Sequence, residues 1–330
     1  MNTRVLLARR PEGEPKLDDF RIAQEPIPTA RNGEVLLKTR FLSLDPYMRG
    51  RMNASRSYTK PVEIGDVMVG GTVSEIVDSK HPDYRKGELV LAQGGWQAYS
   101  IGDGTGFRKL DAAEAPVTYA LGVLGMPGQT AYCALLDIGK PKAGETVVIS
   151  AASGAVGSVA GQIAKLKGCR AIGVAGSEDK CRYVVEELGF DACINRRTEN
   201  LDEALKQHCP NGIDIYYDNT AGPILEAVMR RINLHARILL VGTIEQYNAT
   251  GAPPGPNVRP LLVNRAKIEG FLIFDHGEHT DAFLREMSFW VREGKIRYRE
   301  DVIEGLENAP RGLIGLLRGE NFGKLIVKVA

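Results

Sequence analysis

The residues with the clearest chemical promise lie between Thr146 and Lys167. There Thr146-Val147-Val148-Ile149-Ser150 leads through Ala151-Ala152-Ser153-Gly154-Ala155-Val156-Gly157 into apolar residues at Val156, Val159, Ala160, Ile163 and Ala164. Consecutive β-branched residues fit a strand buried on both faces, and the apolar spacing that follows fits one stripe of a helix, with Gly168 placed to cap its end. Between them, Ala152 to Gly157 matches G-x-G-x-x-G with alanine at the first glycine position. A turn without bulky side chains, facing free helix N–H groups, lets a diphosphate approach the backbone. Ala152, Gly154, Ala155, Val156 and Gly157 are therefore the candidate dinucleotide site. The glycines alone would serve helix–strand packing equally well. The second strand-like run, Arg170 to Ala175, stands where a βαβ unit requires it and favours the ligand.

The end of that second strand selects between the two nicotinamide dinucleotides. A carboxylate there would bond the ribose hydroxyls and repel a 2′-phosphate, whereas this chain has Gly176 and Ser177, Lys180 one helical turn on, and Arg196 after the next strand. Either cation alone could be ordinary solvated surface charge; together with the missing acid they point to NADP(H). Parallel sheets deliver functional groups at the C-terminal ends of their strands, which here are Asn219, Gly242 to Tyr247, and Phe271 to Ile273. Tyr247 is the side chain of its loop able to hold or protonate a developing enolate oxygen. A loop tyrosine is as often a packing residue, and spacing does not choose.

These groups need a framework. At 330 residues the chain has room for two domains, and with a net charge of +1 it carries neither a basic footprint for nucleic acid nor an acidic tail. No apolar run approaches a membrane span and no secretory signal opens the chain, so a cytoplasmic protein is expected. The five cysteines are never closer than a dozen residues apart, which suits neither a disulfide framework nor a metal knuckle. Residues 1–122 read as a barrel-like β domain, with strand-like runs at 35–39, 67–73 and 88–92 separated by glycine and proline. Residues 123–298 read as a doubly wound α/β domain, with further strands at 192–195, 212–219, 236–242 and 268–273, a helix at 224–232 and a long loop at 243–257. The alternating segment 324–329 is expected to rejoin the first domain, making it 1–122 plus 299–330. Trp96 is read as a packing residue.

A β domain followed by a dinucleotide domain is also the layout of zinc alcohol dehydrogenases. Residues 1–122, however, hold no cysteine and one histidine, His81, so no metal ligand set is expected. Without a Lewis acid, hydride delivery to a polarised conjugated double bond becomes the natural reaction.

The strings Leu44-Asp45-Pro46-Tyr47-Met48-Arg49-Gly50, Gly125-Met126-Pro127-Gly128-Gln129-Thr130-Ala131-Tyr132, Ala151 to Val159, Tyr217-Asp218-Asn219, Glu269-Gly270-Phe271 and Gly319 to Lys324 occur in this order along nearly the whole chain. In them the chain resembles the zinc-independent medium-chain dehydrogenase/reductases, in the branch of prostaglandin reductases, alkenal double-bond reductases and curcumin reductases. The resemblance implies a GroES-like β-barrel beside a Rossmann domain, a homodimer, and NADPH-dependent reduction of the α,β double bond of enones and enals. It places the diphosphate over Gly154 to Gly157 and the 2′-phosphate near Lys180, with Arg196 where the family has a tyrosine. Asn219, Gly242, Ile244, Phe271, Leu272 and Asn321 surround the rest of the cofactor. Tyr247 matches the active-site tyrosine, and Tyr47 and Met126 match positions lining the substrate cleft. The implied mechanism is hydride transfer to the β carbon, with the enolate held by Tyr247 and the nicotinamide ribose, then protonation at the α carbon. A quinone reductase of the same superfamily and an inactive NADPH-binding protein are the competing readings.

Overall fold

Residues 1–251, 253 and 255–329 are described by a computed structural model. They form two units, Met1–Gly122 with Glu300–Ala330, and Val123–Arg299. Along the first unit run β1 (Asn2–Leu7), β2 (Phe20–Glu25), β3 (Val35–Ser43), helix α1 (Tyr47–Arg51), β4 (Thr72–Ser79), β5 (Leu89–Ala92), β6 (Tyr99–Gly102) and β7 (Arg108–Leu110). The second unit begins with α2 (Met126–Cys133) and a π-helical turn (Ala134–Gly139), followed by β8 (Thr146–Ser150), α3 (Gly157–Leu166), β9 (Arg170–Ala175), α4 (Glu178–Glu186), β10 (Ala192–Asn195) and α5 (Leu201–His208). It continues with β11 (Ile213–Asp218), α6 (Gly222–Met229), β12 (Ile232–Leu240), α7 (Arg259–Asn264), β13 (Lys267–Gly270) and α8 (Thr280–Arg292). The chain then returns to the first unit with β14 (Glu300–Glu304), α9 (Ala309–Leu317) and β15 (Lys324–Lys328).

In the first unit seven strands form one sheet in the order β14-β15-β3-β4-β5-β7, with β6 also on β3. β3 serves two partners along one edge, β6 at Val35–Lys38 and β15 at Phe41–Ser43, while β4 lies along the other. Its register against β4 shifts twice, within the first half at Leu36/Leu37 and between the halves at Thr39/Phe41. The inward residues Val35, Leu37, Ile76, Val90 and Ala92 make one core layer. Trp96 is fully buried in another and stacks on Phe20 with ring centroids 5.7 Å apart, so it does pack. The strand expected at 67–73 starts only at Thr72. A Cβ on Gly70 would stand 2.8 Å from Leu42 Cδ1, and this close approach needs irregular backbone, leaving Val67 a single bridge to Leu6.

β15 departs from the alternation expected of it, because Lys324 is buried along with Leu325, Ile326 and Val327. Its ammonium donates to Asp45 Oδ1 at 2.6 Å and to the Leu44 carbonyl at 2.8 Å, and Ser43 Oγ donates to the other Asp45 oxygen. Two of the sequence's most distinctive strings, around Asp45 and before Lys324, are thus joined by a buried ion pair 279 residues apart in sequence.

In the second unit six parallel strands lie in the order β10-β9-β8-β11-β12-β13. The order reverses between β8 and β11, the switch point at which such sheets open a crevice at their carboxyl ends. The helix expected at 224–232 occupies Gly222–Met229, and the strand expected at 236–242 begins earlier, at Ile232. There a register shift against β11 and a positive φ of 62° at His235 interrupt the strand, and Leu234 is exposed although apolar. The strand expected at 268–273 ends at Gly270, and Ile273–Asp275 is a 3-10 turn. Phe271 is apolar because its ring packs after the sheet ends. Helix α7 lies beyond the 243–257 loop, in which Ala252 and Pro254 lie outside the described residues.

Lys324→Met strands the Asp45 carboxylate without its counter-charge and is expected to cost about 3–5 kcal/mol in urea unfolding, whereas the double variant Asp45→Leu/Lys324→Met recovers most of it.

Candidate functional site

The turn after β8 is fixed by one carbonyl. Ala151 adopts φ +49°, and its oxygen accepts from Gly154 N–H at 2.9 Å. A Cβ on Gly157 would stand 2.4 Å from that same oxygen, so this position admits only glycine. Alanine is tolerated at the first glycine position because its methyl faces Gly173 of β9, where a Cβ would lie 2.9 Å from it. Helix α3 then opens at Gly157 with no side-chain cap. By contrast Ser177 Oγ caps α4 by accepting from Lys180 N–H, and the Asn200 side chain caps α5. An uncapped helix start behind a glycine turn at the switch point is an anion site in waiting.

The far wall is set by β11. Asn219 N–H donates to Ser150 Oγ at 2.8 Å and its Nδ2 to the Ser150 carbonyl at 2.7 Å, tying the ends of β8 and β11 together. Asp218, fully buried, accepts at Oδ1 from Thr220 and Ala221 N–H and from the Tyr216 hydroxyl, while Oδ2 has no partner among the described residues. Burial pushes its carboxyl above the usual range against those hydrogen bonds. Gly242 follows closely, since a Cβ there would lie 2.9 Å from the Asn219 carbonyl. The next turn, Ile244–Gln246, ends at Tyr247, whose half-buried phenol is pushed above its ordinary value by burial, against hydrogen bonds from Thr243. It keeps its proton across the neutral range.

The cations near β9 divide their work. Arg196 is paired with Glu245, at the foot of the Tyr247 loop. Arg197 lies instead alongside Gly176, its Nε and Cζ 3.7 and 3.9 Å from where a Cβ of residue 176 would stand. Lys180 is half-buried on the first turn of α4. Sequence reasoning missed Arg197; the tandem arginines were its signal.

Phe271, following β13, is buried and stacks on His276 with centroids 4.6 Å apart, and Leu272 beside it is partly exposed. Met126 opens α2 and is also partly exposed. The string around it is largely structural. A Cβ on Gly128 would meet the Val123 carbonyl at 2.0 Å, Gln129 holds Thr280, and the Thr130 carbonyl accepts from Tyr217. Within the first unit, Tyr47 opens α1, its phenol raised by burial and by Asp45, and Asn321 donates to the Gly323 carbonyl. Among the described residues one group able to hold a metal ion lies in the second unit: Asp137, His276 and His279. Sequence spacing could not find it, because the acid and His276 stand 139 residues apart. The thiols of Cys133, Cys169 and Cys209 are buried and raised to about 12, 11 and 11.

Fold and site together define an oxidoreductase with a dinucleotide domain. A family model described as the N-terminal domain of oxidoreductase matches residues 3–110, and one described as zinc-binding dehydrogenase matches residues 155–288. The chain is 51% identical to an NADPH-dependent curcumin reductase of Escherichia coli over 100% of this chain and 97% of that one. It is 45% identical to prostaglandin reductase 1 of Rattus norvegicus over 96% of each. A solved structure of CurA in complex with NADPH from Vibrio vulnificus superposes with a TM-score of 0.96 at 50% identity, covering 99% of both chains. This chain belongs to the zinc-independent branch of the medium-chain dehydrogenase/reductases that holds the curcumin and prostaglandin reductases.

Gly157→Ala forces the β8–α3 turn apart, and a loss of about 1–3 kcal/mol is expected from the shift of the thermal unfolding midpoint.

Proposed function

We propose that the protein is an NADPH-dependent reductase of the α,β carbon–carbon double bond of enones and enals. The observation that carries this is the glycine-lined turn at the switch point, opening an uncapped helix beside a loop that presents a protonated tyrosine. The cradle fits the cofactor because residue 157 has no room for a side chain and α3 supplies unpaired positive dipole to a diphosphate over Ala152, Gly154, Ala155, Val156 and Gly157. Lys180 with Arg196 and Arg197 would meet the 2′-phosphate over Gly176 and Ser177, Arg196 by exchanging its bond to Glu245. Asn219, Gly242, Ile244, Phe271 and Leu272 would frame the nicotinamide half. For Asn321, and for Tyr47 and Met126 as substrate-facing residues, the support is the match of their motifs.

When bound, NADPH supplies the hydride that adds to the β carbon. Tyr247 does the protein's share by donating a hydrogen bond to the carbonyl oxygen as enolate charge develops there, and its raised phenol keeps that proton available. Protonation at the α carbon, from Tyr247 or water, completes the reduction.

We also infer a homodimer. β13 is an edge strand with all four residues exposed, and Val258, Leu262, Val263 and Phe274 are exposed in the segments flanking it. A second copy pairing along this edge would cover both the free backbone groups and the apolar side chains. A cytoplasmic location is supported by five unpaired cysteines, a state that reducing compartments maintain. No helix among the described residues is long and apolar enough to cross a membrane.

Tyr247→Phe is expected to lower kcat for a short enal by about 10²-fold with NADPH affinity within about twofold of the parent, read by steady-state kinetics and cofactor titration. Because the phenol is raised, the parent's kcat should show no alkaline fall from this group below about pH 10. Lys180→Ala and Arg197→Ala should each weaken NADPH by about tenfold or more while leaving NADH within about twofold, since a charge-assisted hydrogen bond contributes about 1.5–3 kcal/mol. Comparison with Arg196→Ala tells which arginine does the reading.

A further inference from the structure

Two of the chain's five histidines converge on one carboxylate oxygen. His276 Nδ1 lies 3.1 Å and His279 Nε2 3.5 Å from Asp137 Oδ2, and a donor atom from each of the three residues lies within 4.8 Å of the other two. In a tetrahedral site with bonds of about 2.0–2.1 Å, neighbouring ligand atoms stand about 3.4 Å apart, so these donors need only small adjustments to share an ion. The donors are held from behind. Asp137 projects from the π-helical turn Ala134–Gly139, a rare backbone form that shifts a side chain off the ordinary helical register. Gln129 Nε2 bonds the His276 carbonyl at 3.3 Å and Thr280 Oγ1 at 2.9 Å, and the His276 ring lies against Phe271. All three ligands are half-buried, which leaves an approach from solvent. The further charged group is Glu278, mostly exposed, with Oε1 3.4 Å from His279 Nε2.

We propose that Asp137, His276 and His279 form a binding site for a divalent transition-metal ion of the Zn²⁺ class, with water or Glu278 as fourth ligand. Two imidazoles and one carboxylate are a donor set for Zn²⁺, Cu²⁺ or Ni²⁺ rather than Mg²⁺, which prefers oxygen ligands throughout. Each facing ring nitrogen must then offer its lone pair in place of an N–H. A bound ion clamps the segment after β13 to the π-helical turn. The site stands on the geometry of the second unit and holds whether or not the protein reduces enones.

The test titrates metal-free full-length protein with ZnCl₂ and with MgCl₂ by calorimetry, and with CoCl₂ by visible absorption. Beside the parent stand Asp137→Asn, His279→Ala, the milder His279→Gln, and His235→Ala as a surface-histidine control. Circular dichroism checks that each is folded. Expected are one Zn²⁺ per chain, no heat with Mg²⁺, and Co²⁺ bands of a four-coordinate ion. Affinity should fall at least about tenfold in the Asp137 and His279 variants and stay unchanged in His235→Ala, and Zn²⁺ should raise the thermal midpoint of the parent more than that of Asp137→Asn. Absence of stoichiometric Zn²⁺ binding, or equal affinity in the parent and the folded Asp137 and His279 variants, overturns the proposal.

Discussion

The approach of Gly157 to the Ala151 carbonyl sets the geometry on which the second unit's site depends. A side chain at 157 would push α3 away from the Ala151 carbonyl and carry the helix N–H groups off the position from which they can meet an anion. The same carbonyl accepts from Gly154 N–H, so one oxygen closes the turn by a hydrogen bond and excludes a side chain at 157 by contact. Ala151 adopts a left-handed conformation to place it there, an unfavourable choice for a residue with a Cβ that the surrounding packing imposes. Gly173 on the neighbouring strand completes the arrangement by making room for the Ala152 methyl, which is why the alanine at the first glycine position does no harm.

Around that turn the polar groups are arranged to keep the switch point open and rigid. Asn219 bonds both the side chain and the carbonyl of Ser150, while the Asp218 carboxylate gathers the amides that begin the loop toward α6. Gly242 lies too close to Asn219 for any side chain, so the Tyr247 loop starts from a fixed point. An Arg196–Glu245 ion pair links the loop after β10 to the turn that leads to Tyr247. The loops at the carboxyl ends of β8, β11 and β12 are thus braced against one another.

The first unit is held by a different device. Its C-terminal strand enters a sheet made by residues from the start of the chain, and the buried Lys324–Asp45 pair is the polar contact made on that arrival. An ion pair out of water is a weak source of net stability, yet it penalises wrong registers heavily, because a one-residue slip would leave both charges buried and alone. The same strand buries Leu325, Ile326 and Val327, so apolar packing supplies the stabilisation and the ion pair the alignment.

Much of this was legible in residue order. The βαβ turn, the Ser177 cap, the third strand at 192–195 and the packing role of Trp96 follow from local periodicity and small-residue spacing, which are properties of neighbours in sequence. The ends of β12 and β13 were not legible, because one has a start interrupted by a register shift and the other is followed by apolar residues outside the sheet. Long-range proximity was decided by the fold alone. Arg197 rather than Arg196 lies against Gly176 because of how the loop after β10 turns, Lys324 is buried because Asp45 waits for it, and Asp137 meets two histidines far along the chain because α2 unwinds into a π-helical turn beside them. Sequence by itself determines where most strands and helices lie and what chemistry their ends can do; tertiary packing sets where several of them stop and chooses which charges and ligands meet, since that depends on loop paths with no periodic signature.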